Sequence, residues 1–317
     1  MDQRTAKEKC ELALKYIAGH EAPKDPVFAA GLFKEVADAG YPNGQFGYAE
    51  LLMNGNGVQQ DIPRAMEMYN MAAVQNHPAA MFRLASMMME EGPNQDIPQA
   101  RSYFLKCADL GMTMAFIVAG DINFYGMGGE PDMAEAFRWY EMAALEGDPI
   151  AEFKCGYMLE NGVGTQKDEK RSIEMFRSAA EKGIPEAQFR MASLAYDGKV
   201  PGGKAECAEW YRRCAEKGYP AAMFNLAGML YDGDGIEKDL PRSFRLYKQV
   251  AEETNDGDAY FMLGRMYLEG LGTEKNAEMG FQAIGKAADA GCLPAQQLIE
   301  SLRRRQNTQL INIDGTE

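Results

Sequence analysis

Small and apolar residues recur along this chain at helical spacing, and the whole pattern returns about every 36 residues. Residues 180–198 and 215–233 show it most clearly, as AEKGIPEAQFRMASLAYDG and AEKGYPAAMFNLAGMLYDG. One small residue marks each repeat, and the markers are Gly44, Ala80, Ala115, Ala151, Ala187, Ala222, Ala259 and Ala295. A fixed period of this length indicates a repeat architecture.

Two helices of about 12 residues are predicted in each repeat. With the marker numbered as position 3, positions 3, 7, 10, 11 and 14 share one helical face and hold mostly Ala, Leu, Met and Gly. Position 8 holds only Ala or Gly, so we expect the backbone of another helix to approach it closely. Glycine follows most of the helices and favours a left-handed terminal residue, and proline opens most of the first helices that come next. No segment has the pattern of a strand.

The repeats predict a single domain from residue 1 to residue 305. A solenoid can be this long because each repeat contacts only its neighbours. Residues 294–305 resemble one additional first helix with a polar outer side, which predicts a capping helix. Residues 306–317 fit no repeat, and we expect a flexible C-terminal tail.

The repeat resembles the Sel1-like repeat family, which is related to the tetratricopeptide repeats. The resemblance rests on the A-x-x-x-L-G segment, on the turns GNGV (55–58) and GVGT (162–165), and on the W-Y-x-x-A-A segment. It implies an α-solenoid, a right-handed superhelix of about eight antiparallel helix pairs, whose role is to bind other proteins. Two turns depart from the pattern, PNQD after Gly92 and KVPGG at 199–203.

The charge and the cysteines restrict the class of protein. The formal net charge is −14, from 33 basic and 47 acidic residues, which argues against nucleic acid and anionic membranes as partners. No signal-peptide pattern and no apolar run of about 18 residues is seen, so we expect no membrane insertion. The six cysteines do not recur at one repeat position. We therefore expect reduced thiols and a cytoplasmic location.

Candidate catalytic residues are sparse. The two histidines, His20 and His77, lie in predicted turns more than 50 residues apart, and no nucleophile–base pair can be assembled from them. The acidic turn DGDG (232–235) lacks the spacing of a calcium loop. We expect no catalytic residue, no metal and no cofactor. The resemblance leaves one enzymatic alternative, a hydrolase acting on β-lactams or peptidoglycan, as linked to some secreted relatives.

Position 5 is aromatic in six of seven repeats, and its residues are Phe46, Phe82, Ile117, Phe153, Phe189, Phe224 and Phe261. It lies about 160° from positions 3 and 7 on a helical wheel. We therefore expect this column not to face the second helix of its own repeat. It would pack between adjacent first helices or line the concave surface.

Variable residues on the same arc are candidates for partner recognition. Position 6 is basic or an amide in four repeats, and aromatic residues lie beside it. The predicted partner-binding groove comprises Arg83, Lys154, Arg190, Asn225, Tyr157, Tyr196, Phe153 and Phe189. Basic and amide side chains bind carboxylates by charge-assisted hydrogen bonds. The partner would be a protein or peptide with an acidic segment or a free C-terminal carboxylate. Acidic residues at position 13 would keep that anionic part short.

The sequence therefore predicts a non-catalytic interaction scaffold that holds a partner segment in its concave groove. A regulatory solenoid that binds through its convex face or its ends is a further alternative. The residues do not identify the partner.

Overall fold

Helices alternate with short turns along the chain, and the computed structural model describes the backbone of residues 1–314 and the side chains of residues 1–304. The chain divides into two compact units, Met1–Glu169 and Lys170–Glu317. The first unit contains α1 (Gln3–Ala18), α2 (Pro26–Asp38), α3 (Pro42–Asn54), α4 (Ile62–Ala73), α5 (Pro78–Met89), α6 (Ile97–Asp109), α7 (Thr113–Tyr125), α8 (Met133–Leu145) and α9 (Pro149–Asn161). Helix α10 (Glu169–Glu181) begins at the boundary. The second unit continues with α11 (Pro185–Tyr196), α12 (Gly203–Ala215), α13 (Pro220–Asp232), α14 (Leu240–Thr254), α15 (Gly257–Glu269), α16 (Ala277–Asp289) and α17 (Leu293–Asp314).

The predicted all-α solenoid is confirmed. No strand occurs among residues 1–314, and each odd-numbered helix from α3 to α15 is the first helix of a repeat. Consecutive helices pack together from α1 to α9 and from α11 to α17. The handedness of the superhelix stays a prediction.

Most second helices begin with a side-chain cap that the sequence analysis did not identify. Asp61 accepts a hydrogen bond from the backbone N–H of Arg64, at 3.0 Å. The same bond, to the N–H three residues on, is made by Asp25, Asp96, Asp132, Asp239 and Asn276. A side chain of this kind satisfies one of the free N–H groups at a helix start. It also fixes where the second helix begins after the glycine turn.

The second glycine of the G-x-G turn allows close contact between repeats. Gly164 has φ of +67°, and a Cβ atom there would lie 1.9 Å from the carbonyl oxygen of Met133, at the start of the preceding second helix. The equivalent glycines approach the same place in their own neighbours: Gly57, Gly128, Gly235 and Gly272. The turn therefore needs glycine both for its backbone conformation and for the space.

First helices such as α3 and α7 lie between two second helices. A Cβ atom at Gly44, in position 3 of α3, would lie 2.5 Å from Val36 of the preceding α2. A Cβ atom at Gly120, in position 8 of α7, would lie 2.4 Å from Tyr140 of the following α8. Ala192, also in position 8, is completely buried. At Gly264, in position 8 of α15, a Cβ atom would lie 2.9 Å from the carbonyl oxygen of Gly280 in α16. The predicted close approach of a helix backbone is therefore confirmed there, whereas at Gly120 the neighbouring atoms belong to a side chain.

The expectation that position 5 does not face its own second helix is wrong. The ring of Phe46 lies 5.9 Å from Tyr69 of α4, and the ring of Phe82 lies 5.1 Å from Phe104 of α6. The expectation requires positions 3 and 7 to face the second helix of the same repeat, whereas Gly44, in position 3, approaches Val36 of the preceding second helix. Position 5 lies about 60° from position 8, within reach of the same second helix. Phe46 also stacks on His77, so contact with the next first helix is present as well.

The C-terminal helix contains the predicted cap and continues beyond it. Helix α17 includes residues 294–305, packs against α16 and runs to Asp314. The backbone of residues 306–314 is helical, and residues 315–317 lie outside the described part of the chain. The flexibility of the tail stays a prediction. Along the described residues, no helix combines the length and apolar content needed to cross a lipid bilayer.

Candidate functional site

A tyrosine, a carboxylate and a cation connect the second repeat to the third. The Tyr69 hydroxyl of α4 donates to Glu50 of α3, at 2.5 Å. Arg83 of α5 donates from Nε and Nη2 to the two carboxylate oxygens of Glu50, at 2.9 and 3.1 Å. We call each such set an inter-repeat bridge. Burial, and then the bond to Glu50, raise the pKa of Tyr69 well above its usual value, so the hydroxyl remains a donor.

A second inter-repeat bridge repeats this geometry two repeats later. The Tyr140 hydroxyl donates to Asp121 at 2.5 Å, and the Lys154 ammonium donates to the same Asp121 oxygen. Lys154 also lies 5.0 Å from the ring centre of Tyr140 and 5.8 Å from that of Tyr125. Burial is the main reason that the pKa of Tyr140 is raised, and the bond to Asp121 adds to it. Lys154 is 24% exposed and Arg83 is 57% exposed, so the second bridge has the more enclosed cation. The acids differ less, with Asp121 at 33% and Glu50 at 26%.

The second unit has an uncharged equivalent of the bridge. The Tyr211 hydroxyl lies within hydrogen-bonding reach of Ser193 and Asn225, which occupy the carboxylate and cation positions. Burial raises the pKa of this tyrosine as well. An amide therefore takes the place of the cation when a hydroxyl replaces the carboxylate.

An aromatic cavity of about 280 Å³ adjoins the second bridge. Its walls are Phe124, Tyr125, Tyr140, Phe153, Lys154, Tyr157 and Met158. Two of these rings reach solvent, Tyr125 at 64% exposed and Tyr157 at 47%. The structure thus brings together three predicted site residues, Phe153, Lys154 and Tyr157, in one open aromatic cavity.

In the second unit, a cavity of about 300 Å³ surrounds Tyr196 and Asn225. Tyr196 is 55% exposed, and the ammonium of Lys204 lies 5.5 Å from its ring centre. Asp232 and Asp234 also line this cavity, which makes its mouth acidic.

Phe189 packs within the fold of the second unit. Its ring lies 5.4 Å from that of Tyr211 and 5.7 Å from that of Tyr219. Arg190, the next residue, is partly buried. These two side chains occupy the same column positions as Phe153 and Lys154 in the first unit, and their role in binding a partner stays a prediction.

The carboxylates of the bridges were missed by the sequence analysis, although the spacing contains a signal for them. Each carboxylate is followed 19 residues later by its tyrosine and 33 residues later by its cation. The sequence analysis singled out the cations, Arg83 and Lys154, without the acids that bind them. Their positive charge is therefore already balanced within the fold.

His77 has a structural role that its position in a turn does not reveal. Its Nδ1 accepts from the backbone N–H of Ala80 at the start of α5, at 3.3 Å, and its Nε2 lies 3.0 Å from Asn43 Oδ1. Burial lowers the pKa of the imidazole. The neutral ring is the form that can accept the Ala80 hydrogen bond.

All six cysteines are free and buried. Cys107 and Cys214, in equivalent positions, donate to the carbonyl oxygens of Pro78 and Pro185 at 3.3 and 3.2 Å. Burial raises the pKa of both thiols to about 11. Among residues 1–304, no group of three or more His, Cys, Asp or Glu side chains is placed to hold a metal ion.

Stacked helix pairs, recurring glycine turns and inter-repeat bridges define a repeat protein of the Sel1 class. The Sel1 repeat family model matches residues 10–41, 42–77, 78–112, 115–148, 149–184, 185–219, 220–255 and 257–292. The chain belongs to the Sel1 repeat family. Proteins of this family generally mediate protein–protein interactions.

Two solved structures share this fold over nearly the whole chain. A Sel1 repeat protein from Oxalobacter formigenes is 26% identical, with a TM-score of 0.68 over 94% of this chain and 87% of its own. The protective antigen c5321 of uropathogenic Escherichia coli is 25% identical, with a TM-score of 0.74 over 93% of this chain and 71% of its own. Their similarity supports the solenoid assignment.

A curated relative matches over a shorter segment. The chitin synthase regulator SKT5 of Malassezia restricta is 34% identical over 95 residues, which is 29% of this chain and 7% of that protein. The match therefore spans a small part of the fungal protein.

Proposed function

We propose that this protein is a non-catalytic interaction scaffold that binds a segment of a partner protein along its first helices. The observation that carries the proposal is the aromatic cavity beside the second bridge, where Tyr125 and Tyr157 reach solvent. Exposed tyrosines offer a large and fairly rigid contact area together with a polar group, and they are enriched at binding interfaces. The family's general role and the name of the fungal regulator agree with such a function.

The partner chemistry that we favour is a short acidic segment or a free C-terminal carboxylate, bound beside aromatic residues. Arg83 is the best placed of the predicted cations, because it is 57% exposed. A guanidinium has five N–H donors, and the bonds to Glu50 use two of them. Lys154 is more enclosed and already contacts Asp121 and two rings. In this proposal, Lys154 holds the aromatic cavity together, while Arg83 meets the partner carboxylate.

In the second unit, the proposed groove includes Tyr196, Asn225, Phe189 and Arg190. The acidic mouth formed by Asp232 and Asp234 favours a partner segment whose anionic part does not extend there. The six buried free cysteines support a further part of the proposal, that the protein works in a reducing compartment such as the cytoplasm.

The test begins with affinity purification from the source organism and mass spectrometry to identify the partner. Binding of the purified partner is then measured by isothermal titration calorimetry with Tyr157→Ala and with Arg83→Gln. We expect each variant to weaken binding at least about fivefold, which corresponds to about 1 kcal/mol. The matched control is Phe281→Ala, which removes another half-exposed ring, at 52%, from α16.

Unchanged affinity in both Tyr157→Ala and Arg83→Gln, with helical content preserved by circular dichroism, would rule out this groove. Equal losses in all three variants would show that binding depends on general stability. A turnover assay with β-lactam and peptidoglycan substrates tests the enzymatic alternative.

A further inference from the structure

The inter-repeat bridge is absent where the first repeat meets the second. Its three positions, each 36 residues before those of the first bridge, hold Phe33 for the tyrosine, Leu14 for the carboxylate and Gly47 for the cation. Phe33 is almost fully buried and contributes no polar group. A Cβ atom at Gly47 would lie 2.3 Å from the Phe33 ring, so the ring occupies the space beside that glycine.

An open apolar cavity lies at this junction, between α1 and α3, and we call it the α1–α3 cavity. Its volume is about 580 Å³. The apolar side chains that line it are Cys10, Leu14, Ile17, Phe33, Phe46 and Leu51. Leu14 is 58% exposed, although it lies beside this apolar wall. Ligand pockets are typically about 300–1,000 Å³, mostly apolar, with a few polar groups at defined places.

Polar side chains also line the α1–α3 cavity. The uncharged ones are Asn43, Asn54, Asn56 and His77, and the charged ones are Lys7, Glu11 and Glu50. Asn43 Oδ1 contacts His77, and Asn54 Nδ2 donates to the backbone carbonyl of Glu50. The other amide groups can donate and accept hydrogen bonds, which matches the N–H and C=O groups of an extended peptide. A helical ligand already satisfies most of its own backbone groups, so it would gain less from these amides. These polar side chains therefore favour a ligand segment in an extended conformation.

The first inter-repeat bridge supplies charge at one side of the mouth. Glu50 lines the cavity, and its carboxylate is held by the exposed guanidinium of Arg83. Glu11 also lines the cavity, and its carboxylate lies 3.9 Å from the ammonium of Lys7. The cation is the more exposed member of each pair, Lys7 at 75% and Arg83 at 57%. An acidic residue near the apolar side chain of a ligand would therefore meet these two cations.

We infer that the α1–α3 cavity binds an extended segment of a partner protein that inserts a Leu, Met or Phe side chain and carries an Asp or Glu within about three residues. The volume is sufficient, since a cavity of about 150 Å³ can hold benzene. This inference rests on the proposed scaffold function and adds the apolar side chain that anchors the partner segment. That side chain would bind in the first two repeats, away from the aromatic cavity of Tyr157.

The experiment uses a phage-displayed library of random 12-residue peptides, selected on the immobilised full-length protein. We expect the enriched peptides to share a large apolar residue with a nearby Asp or Glu. Their affinity for the soluble protein is then measured by fluorescence anisotropy. Leu14→Gln should weaken binding about tenfold, because it places an amide in the apolar wall. Leu12→Gln is the matched control, since Leu12 is also an exposed leucine of α1, at 39%, and does not line the cavity.

Each outcome of the experiment decides the inference. A selective loss with Leu14→Gln, together with weaker binding in Arg83→Gln, supports it. No enrichment, enriched peptides without an apolar or an acidic residue, unchanged affinity in Arg83→Gln, or equal affinities for Leu14→Gln and Leu12→Gln would each overturn it. Peptides that respond to Tyr157→Ala but not to Leu14→Gln would support the proposed scaffold function while refuting the anchor.

Discussion

Replacing Asp121 by Asn tests how much the second inter-repeat bridge contributes to stability. The substitution keeps the side-chain shape and an oxygen that can accept from Tyr140, but it removes the charge that pairs with Lys154. Lys154 is 24% exposed and Asp121 is 33% exposed, so water can replace the lost partner only in part.

The expected magnitude follows from this partial exposure. Hydrogen bonds to charged groups contribute about 1.5–3 kcal/mol when buried, and exposed ion pairs contribute about 0–1 kcal/mol. The contribution of a mostly enclosed ion pair lies between these limits. We therefore expect Asp121→Asn to lower the free energy of unfolding by about 1–2 kcal/mol. Glu50→Gln is the matched control and should cost less, below about 1 kcal/mol, because its cation Arg83 is 57% exposed.

Urea unfolding followed by circular dichroism gives the free energies for both variants. A double-mutant cycle of Asp121→Asn with Lys154→Met isolates the charge pair. We expect a coupling energy near 1 kcal/mol for this pair, and a smaller one for Glu50→Gln with Arg83→Met. A coupling energy of zero for the second bridge, or a larger one for the first, would refute the link between enclosure and stability.

Three further predictions concern packing, the turns and pH. Ala192→Leu places a large side chain at a completely buried position against the second helix and should cost about 1–3 kcal/mol in thermal or urea unfolding; an unchanged melting curve would contradict the repeat alignment. Gly164→Ala combines a positive φ with a contact of 1.9 Å to the Met133 carbonyl, whereas Gly198→Ala has a similar φ and no atom within 4 Å. We expect about 1 kcal/mol for Gly198→Ala, from the left-handed backbone alone, and a clearly larger loss for Gly164→Ala; equal losses would show that the turn does not need the close approach. Burial lowers the pKa of His77, so the unfolded chain takes up this proton at a higher pH than the folded chain does. The contribution of His77 to stability is therefore present above the unfolded pKa of about 6.5 and is lost as the pH falls through the lower folded pKa. His77→Asn, which can still cap α5, should remove that part of the acid sensitivity, as measured by urea unfolding between about pH 7 and pH 5; identical pH profiles would refute this role.

Much of the fold could be predicted from the sequence because its determinants are local and repeat in register. The helical period, the small residue at position 8, and the glycines and prolines at the turns each act within one repeat. Eight copies of the pattern made the helix boundaries and the solenoid class recognisable. The N-terminal caps, such as Asp61 and Asp132, are equally local. They were open to prediction from their place just before each second helix.

The candidate site depended on tertiary structure, because its contacts join residues from neighbouring repeats. A helical wheel gives directions around one helix, but it does not say which neighbour lies in each direction. Position 5 was misjudged for this reason, since first helices such as α3 and α7 have a second helix on two sides. Lys154 and Asp121 are 33 residues apart in the sequence, and they form a pair because two repeats stack on each other.

The α1–α3 cavity shows the same division between sequence and structure. The sequence alone determines that Phe33, Leu14 and Gly47 occupy the three bridge positions of the first repeat pair. Only the packing of α1, α2 and α3 decides that these residues leave an open apolar space, because the volume depends on how far the helices stand apart. Local spacing thus sets which side chains share a surface, and the stacking of repeats sets what that surface can bind.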